Sequence, residues 1–228
     1  MPLGVVTGAS RGFGLALVRL LSERGWDVVV DARDRDTLHA AVTGLPRVTP
    51  VAGDVTDPEH RGELARTVAE RGGADLVVNN ASTLGPSPRP ALAAYPLDAL
   101  ARVYEVNVVA PLGLFQTLLP LLRPGAVVVD VTSDAGREPY EGWGGYGSSK
   151  AALDQLTAIL AAEHPELHVY SFDPGDMRTL MHQEAFPGED ISDRADPESI
   201  APLLVRLVEE RPPSGRYAAS DLAAGAAR

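Results

Sequence analysis

With 228 residues and 45% hydrophobic content, the chain can bury one sizeable core, and no apolar run approaches the roughly 18 to 20 residues that cross a bilayer. It has no cysteine, which removes disulfides, thiolate metal sites and a cysteine nucleophile. A formal net charge of -11 argues against nucleic acid as a partner, and any anionic cofactor must then be met by a few well-placed arginines.

The first apolar run, Leu3 to Val6, is too short for a signal peptide, so the expectation is a soluble, cytoplasmic protein that engages no membrane. Val- and Leu-rich runs then alternate with helical patterns. Strands are predicted at Leu3 to Thr7, Asp27 to Ala32, Arg47 to Ala52, Leu76 to Asn79, Ala126 to Val131 and His168 to Asp173, with a weak seventh at Arg216 to Ala219. Helices are predicted near Gly12 to Arg24, Arg35 to Thr43, Glu59 to Arg71, Leu97 to Leu122, Tyr146 to Glu163 and Pro197 to Glu210. Near-continuous apolar strands are what a parallel sheet buried on both faces requires, and their alternation with helices implies crossover connections. The predicted fold is α/β: one domain over residues 1 to 228, a single doubly wound, Rossmann-like parallel sheet of about seven strands. The Pro-rich stretch "LGPSPRPALAAYP" leads into the long fourth helix. The acidic stretch from Met181 to Pro197 reads as a long loop, and a substrate lid is expected near residues 180 to 196.

The segment "GVVTGASRGFGLALVRLL" sets Gly8, Gly12 and Gly14 between the first strand and the first helix. Glycine lets the backbone turn and approach a pyrophosphate, and the helix N-terminus adds free N–H groups and a positive dipole end. The Gly-x-x-x-Gly-x-Gly spacing resembles the loop of the short-chain dehydrogenase/reductase family. The later motifs follow in that family's order over nearly the whole chain, Thr7 to about Ala219.

The resemblance implies a nicotinamide cofactor held by Gly8, Ser10, Arg11, Gly12, Phe13 and Gly14. The second strand ends in "VVVDARD". An acid there would favour a free ribose 2'-hydroxyl, and an arginine would favour a 2'-phosphate. Asp31 falls one residue before the position that selects NAD in the family, and strand alternation should turn it away from the ribose. Arg33 and Arg11 match positions that bind a 2'-phosphate, so the expected cofactor is NADP(H). The resemblance adds Asp54 and Val55 at the adenine edge and Asn80 and Ala81 in "VVNNAS", where Ser82 replaces the family's glycine. In "SFDPGDMRT" it adds Pro174, Gly175, Met177 and Thr179 near the nicotinamide and pyrophosphate.

Ser133 lies 13 residues before Tyr146, and Lys150 follows Tyr146 at i+4, one face of a helix. Asn107, in "YEVNVVAPL", matches the family's helix asparagine. A phenol titrates near 10 and is a poor base at neutral pH unless a nearby ammonium favours phenolate. The resemblance implies that Tyr146 donates or accepts the proton, Ser133 polarises the substrate oxygen, Lys150 lowers the phenol and binds the nicotinamide ribose, and Asn107 holds a relay water. Tyr140 has no lysine at i+4 and is read as pocket lining or surface. The five histidines show no metal-ligand spacing, most read as surface residues, and no metal site is expected, although His182 in the lid can touch substrate. The expected activity is reduction of a small-molecule carbonyl to an alcohol, or the reverse, by a homodimer or homotetramer assembled through the fourth and fifth helices. A non-catalytic NADP(H) sensor on the same fold and an extended-branch sugar-nucleotide enzyme remain the alternatives. The first can lose the Tyr-Lys pair, which this chain keeps, and the second needs a longer C-terminal domain.

Overall fold

The computed structural model describes residues 1–226. Seven strands form one sheet: β1 (Leu3–Val6), β2 (Asp27–Ala32), β3 (Val48–Ala52), β4 (Ala74–Asn79), β5 (Leu122–Val131), β6 (His168–Asp173) and β7 (Gly215–Ala218). Their order is β3-β2-β1-β4-β5-β6-β7, and every pairing is parallel. The helices are α1 (Gly12–Glu23), α2 (Arg35–Val42), α3 (Pro58–Ala69), α4 (Leu97–Tyr104), α5 (Ala110–Leu118), α6 (Gly144–Glu163), α7 (Leu180–Ala185), α8 (Pro197–Glu210) and α9 (Ala219–Ala226). The chain enters at the middle of the sheet, winds out to β3, then returns to β4 and winds out the other way. That reversal opens a crevice at the carboxyl ends of β1 and β4, where open α/β sheets hold ligands.

Strand alternation explains the continuous apolar runs. Val6, Val28, Val30, Leu76, Val78, Val127 and Val129 pack under α1, α2 and α8. Their neighbours Leu3, Val5, Val29 and Val77 face α3 and α5, while Val128 and Val169 face Phe115 and Leu160. The central strands β1, β2, β4 and β5 therefore carry apolar side chains on both faces. No helix is long and apolar enough to span a membrane among the described residues.

Two elements differ from their predicted form. The single helix over residues 97 to 122 is interrupted by a π turn at Glu105–Val109, where the Ala110 amide bonds back to the Glu105 carbonyl. Pro111 follows and has no N–H to give the Asn107 carbonyl four residues back, so the regular ladder cannot run through this point. The segment expected to be a lid is not an irregular loop throughout: Leu180–Ala185 form a short helix capped by the Thr179 side chain, which accepts from the His182 amide. Its base is closed by a parallel bridge between Met177 and Ala195. The weak seventh strand is real, and Tyr170, Ser171, Phe172 and Asp173 pair with it.

Candidate active site

One cleft of about 580 Å³ runs along the carboxyl ends of the strands. Every residue expected to hold the cofactor lines it except Gly14, and of the four expected catalytic residues only Asn107 does not.

At one end the glycine loop is locked by groups that come from far along the chain. Gly8 has φ 66°, and a Cβ there would lie 2.8 Å from the Ala81 backbone. Gly14 lies under the loop, where a Cβ would stand 2.6 Å from the Gly8 carbonyl. Its role is thus to let the helix close on the loop. Asn80 Nδ2 donates to the Thr7 carbonyl at 2.9 Å and the Gly8 carbonyl at 3.1 Å. The Thr7 hydroxyl accepts from the Asn80 and Ala81 amides. Phe13 stacks on Phe172 with centroids 5.9 Å apart, anchoring α1 to β6. Ser82 does not need a left-handed backbone, and its hydroxyl instead donates to Asn107 Oδ1 at 3.1 Å.

Asp31 is turned inward, as strand alternation requires. Its Oδ1 accepts the Gly8 amide at 2.8 Å and its Oδ2 lies 3.1 Å from His60 Nε2. Burial holds this carboxyl above its ordinary range, with the His60 and Gly8 hydrogen bonds opposing. The surface reading of the histidines therefore fails for His60, which is 5% exposed; His182 is buried too, at 9%. Asp31 is engaged beneath the loop, while Arg33 and Arg11 stand exposed on the cleft wall. Neither arginine takes part in an ion pair among the described residues. Asp54 is already tied, to Thr56 through Oδ1 and to Arg102 through Oδ2 at 2.8 Å, and the Val55 carbonyl accepts from Arg61. Arg102, on the cleft wall, had no motif to announce it.

At the other end Ser133, Tyr146 and Lys150 meet. Tyr146 and Lys150 are 9% and 2% exposed, and the Lys150 ammonium lies 5.5 Å from the Tyr146 ring centroid. Lys150 donates to the Val131 carbonyl at 2.7 Å. Burial lowers Lys150 to about 8, with Asp130 and Asp154 opposing. Burial also pushes the Tyr146 phenol well above its ordinary value; the Ser133 and Ser82 hydroxyls oppose this, and the charges of Asp173 and Asp134 add to it. Ser133 donates to Asp134 Oδ1 at 2.9 Å. Asn107 sits behind the site with its carboxamide fully used: Oδ1 accepts from Ser82 and the Thr83 amide, and Nδ2 donates to the Thr83 carbonyl and Ser149.

The wall beside Tyr146 is aromatic. Trp143 lines the cleft 5.7 Å from Tyr146, with Phe186 5.7 Å behind it. The Arg89 guanidinium lies 4.0 Å over the Trp143 ring. Tyr140 is exposed, 47%, and donates to Asp134 at 3.0 Å. Pro174 and Gly175 form a turn whose Gly175 amide is held by Asp173 at 3.0 Å. Asp130 is a further buried acid, accepting from Asn79 and Thr157 at 2.7 Å each. A charged residue inside "VVVDV" was its visible sign.

Comparison with known proteins agrees with this architecture. Residues 4–190 match the short chain dehydrogenase family model. The benzil reductase ((S)-benzoin forming) of Bacillus subtilis is 29% identical, covering 95% of this chain and 97% of that protein. Mouse (Mus musculus) sepiapterin reductase is 34% identical over 79% of this chain and 76% of its own length. A short chain dehydrogenase from Shigella flexneri, solved in complex with NADP, superposes with a TM-score of 0.90 at 27% identity, over 96% of this chain and 97% of that one. A second, from Escherichia coli with NADPH, also reaches 0.90 at 28% identity, over 96% of each chain. With the motif order, the sheet and the family match in agreement, this chain belongs to the short chain dehydrogenase family.

Proposed function

We propose that this protein is an NADP(H)-dependent carbonyl reductase, or an alcohol dehydrogenase in reverse, acting on an aromatic or other apolar carbonyl. One observation carries the reading: Ser133, Tyr146 and Lys150 line one end of a cleft whose other end carries two exposed arginines that, among the described residues, take part in no ion pair. The cradle suits a dinucleotide. Gly8 and Gly14 leave backbone where a side chain would stand, Arg11 and Arg33 suit a 2'-phosphate, and Asp31 is engaged elsewhere. NADP and NADPH in the solved relatives support the same choice. Pro174, Gly175, Met177 and Thr179 are proposed to border the nicotinamide end. When bound, the cofactor supplies or takes the hydride.

In the reductive direction Tyr146 gives its proton to the carbonyl oxygen, and the Ser133 hydroxyl leaves Asp134 to hold that oxygen. The buried Lys150 ammonium favours the phenolate left behind. Asn107 is proposed to hold the relay water through its main-chain carbonyl, which lacks the amide that Pro111 cannot give, because its side chain has no bond to spare. Trp143 supplies the flat wall against which an aromatic substrate would lie. Exposed Val109 and Ile159 support self-association through the two long helical segments, which sedimentation can test.

The test uses benzil, an aromatic diketone and the substrate named for one relative, alongside aliphatic ketones and aldehydes, each with NADPH and with NADH. Turnover of the aromatic carbonyls with NADPH is expected. Binding of NADPH without turnover of any carbonyl would favour the sensor alternative, and tighter binding of NADH would reverse the cofactor assignment.

A further inference from the structure

Arg216, on the edge strand β7, reaches back under the active site and touches three different elements. Its Nε donates to Asp154 Oδ2 on α6 at 3.2 Å. Its Nη2 donates to Asp173 Oδ2 at the end of β6 at 2.7 Å and to the Ser133 carbonyl at the end of β5 at 3.2 Å. The side chain is only 15% exposed, and its partner Asp173 only 9%. Asp173 in turn holds the Gly175 amide with its other oxygen. The fork therefore fixes, from behind, the backbone of the serine, the helix one turn beyond Lys150 and the turn beside the cofactor cleft. None of these ties is read from a family motif.

We propose that Arg216 is a positioning residue for the reaction: it sets Ser133 and the Pro174–Gly175 turn against Tyr146 and balances the charge of Asp173 there. This rests on the reading of Tyr146 as the proton donor. The charges of Asp173 from β6 and Asp134 beyond β5 act on Tyr146, and Lys150 lies 5.5 Å from its ring. Asp130 from β5 and Asp154 on α6 act on Lys150, Arg216 from β7 holds Asp154 and Asp173, and His182 lines the same cleft from α7. Four of these groups are acids. The negative charge of Asp173 raises the phenol. A guanidinium 2.7 Å from that carboxylate, at a site mostly shielded from water, offsets it. Without Arg216 the carboxylate would stand alone near the phenol, which would then ionise at higher pH.

The experiment is an ultraviolet titration of tyrosinate in the full-length protein saturated with NADP+, with the Tyr146→Phe trace subtracted to isolate Tyr146. Arg216→Gln should move the Tyr146 midpoint up by about one pH unit. Arg216→Lys keeps a charge and loses the fork, so its midpoint should stay near wild type while benzil turnover falls by about tenfold. The double variant Arg216→Gln, Asp173→Asn removes both charges and should bring the midpoint back, since asparagine can still accept the Gly175 amide. NADPH affinity, read by fluorescence, should change by no more than about threefold in each. An unmoved midpoint in Arg216→Gln, or no return in the double variant, overturns the proposal. So does loss of NADPH binding in parallel with turnover, which would mark a merely structural role. If Tyr146→Phe itself retains full turnover, the underlying reading of Tyr146 fails instead.

Discussion

The two ends of the cleft are built from opposite materials. The end proposed to hold the cofactor is made of backbone: glycines without side chains, carbonyls held by Asn80, amides held by Thr7, and cations left exposed at the rim. The end proposed to react is made of buried ionisable side chains, Tyr146, Lys150, Asp130 and Asp173, the last three each held by a specific neighbour. A binding surface for pyrophosphate needs close approach and fixed N–H groups, which small residues give. Proton transfer needs shifted protonation equilibria, which burial and neighbouring charge give. Substitutions at the first end should therefore act on affinity or packing, and those at the second on rate and pH.

The largest effect that would separate the two ends is Tyr146→Phe. It should lower kcat by about a thousandfold and leave NADPH affinity, measured by fluorescence titration, unchanged. Equal losses in both would erase the distinction. Gly14→Val places methyls where the Gly8 carbonyl and the Asn80 amide already stand. It should lower unfolding free energy by about 3 kcal/mol in a denaturant titration, and a silent substitution would break the view of the loop as close-packed backbone. Arg33→Ala removes one exposed cation and should raise the NADPH dissociation constant about tenfold while leaving NADH unchanged.

The smallest effect is also the most particular to the reacting end. The folded value of Lys150 is about 8, below its ordinary 10.5. The unfolded chain thus holds this proton through a window where the folded chain has released it. Stability from this group therefore rises with pH between those values and is lowest below about 8. Lys150→Met should raise the melting temperature of the cofactor-free protein by about 3 °C at neutral pH, with the gain shrinking toward 10.5. A melting temperature that falls at neutral pH would mean that the ammonium is well solvated where it lies.

The same contrast decides what could be read from the sequence. The cofactor end follows from local spacing, because Gly8 to Gly14 fall within one strand–turn–helix unit. The Tyr-Lys pair was equally local, and Ser133 was found by distance along the chain. Alternation places Asp31 inward, where its carboxylate takes the Gly8 amide, but the sequence does not show its partner His60 as buried, since a histidine on an acidic, exposed-looking helix gives no sign that Gly53 leaves room for it beneath the loop. Arg216 and the Asp54 tie of Arg102 are hidden for a related reason: the partners of Arg216 lie 43 to 83 residues away and the Thr56 and Asp54 partners of Arg102 46 to 48, and tertiary pairs have no period; only the Arg102–Glu105 pair, three residues apart, is local. The π turn at Asn107 could have been suspected from Pro111, which denies a donor at that position.

The bonds from Thr7 to Val78 and Asn80 also bear on the order of folding. The glycine loop precedes most of the sheet along the chain, yet the carboxamide that sets its carbonyls comes from a residue more than seventy positions later. Until β4 docks, β1 has one free flank and the loop lacks the carboxamide that sets its carbonyls. Loop closure over that span is an entropic barrier that local helices do not face, so α1 can form long before the crevice beside it exists. The nucleotide cradle is then a late product of assembly, and NADP(H) would meet a chain that has already completed its central strand pair.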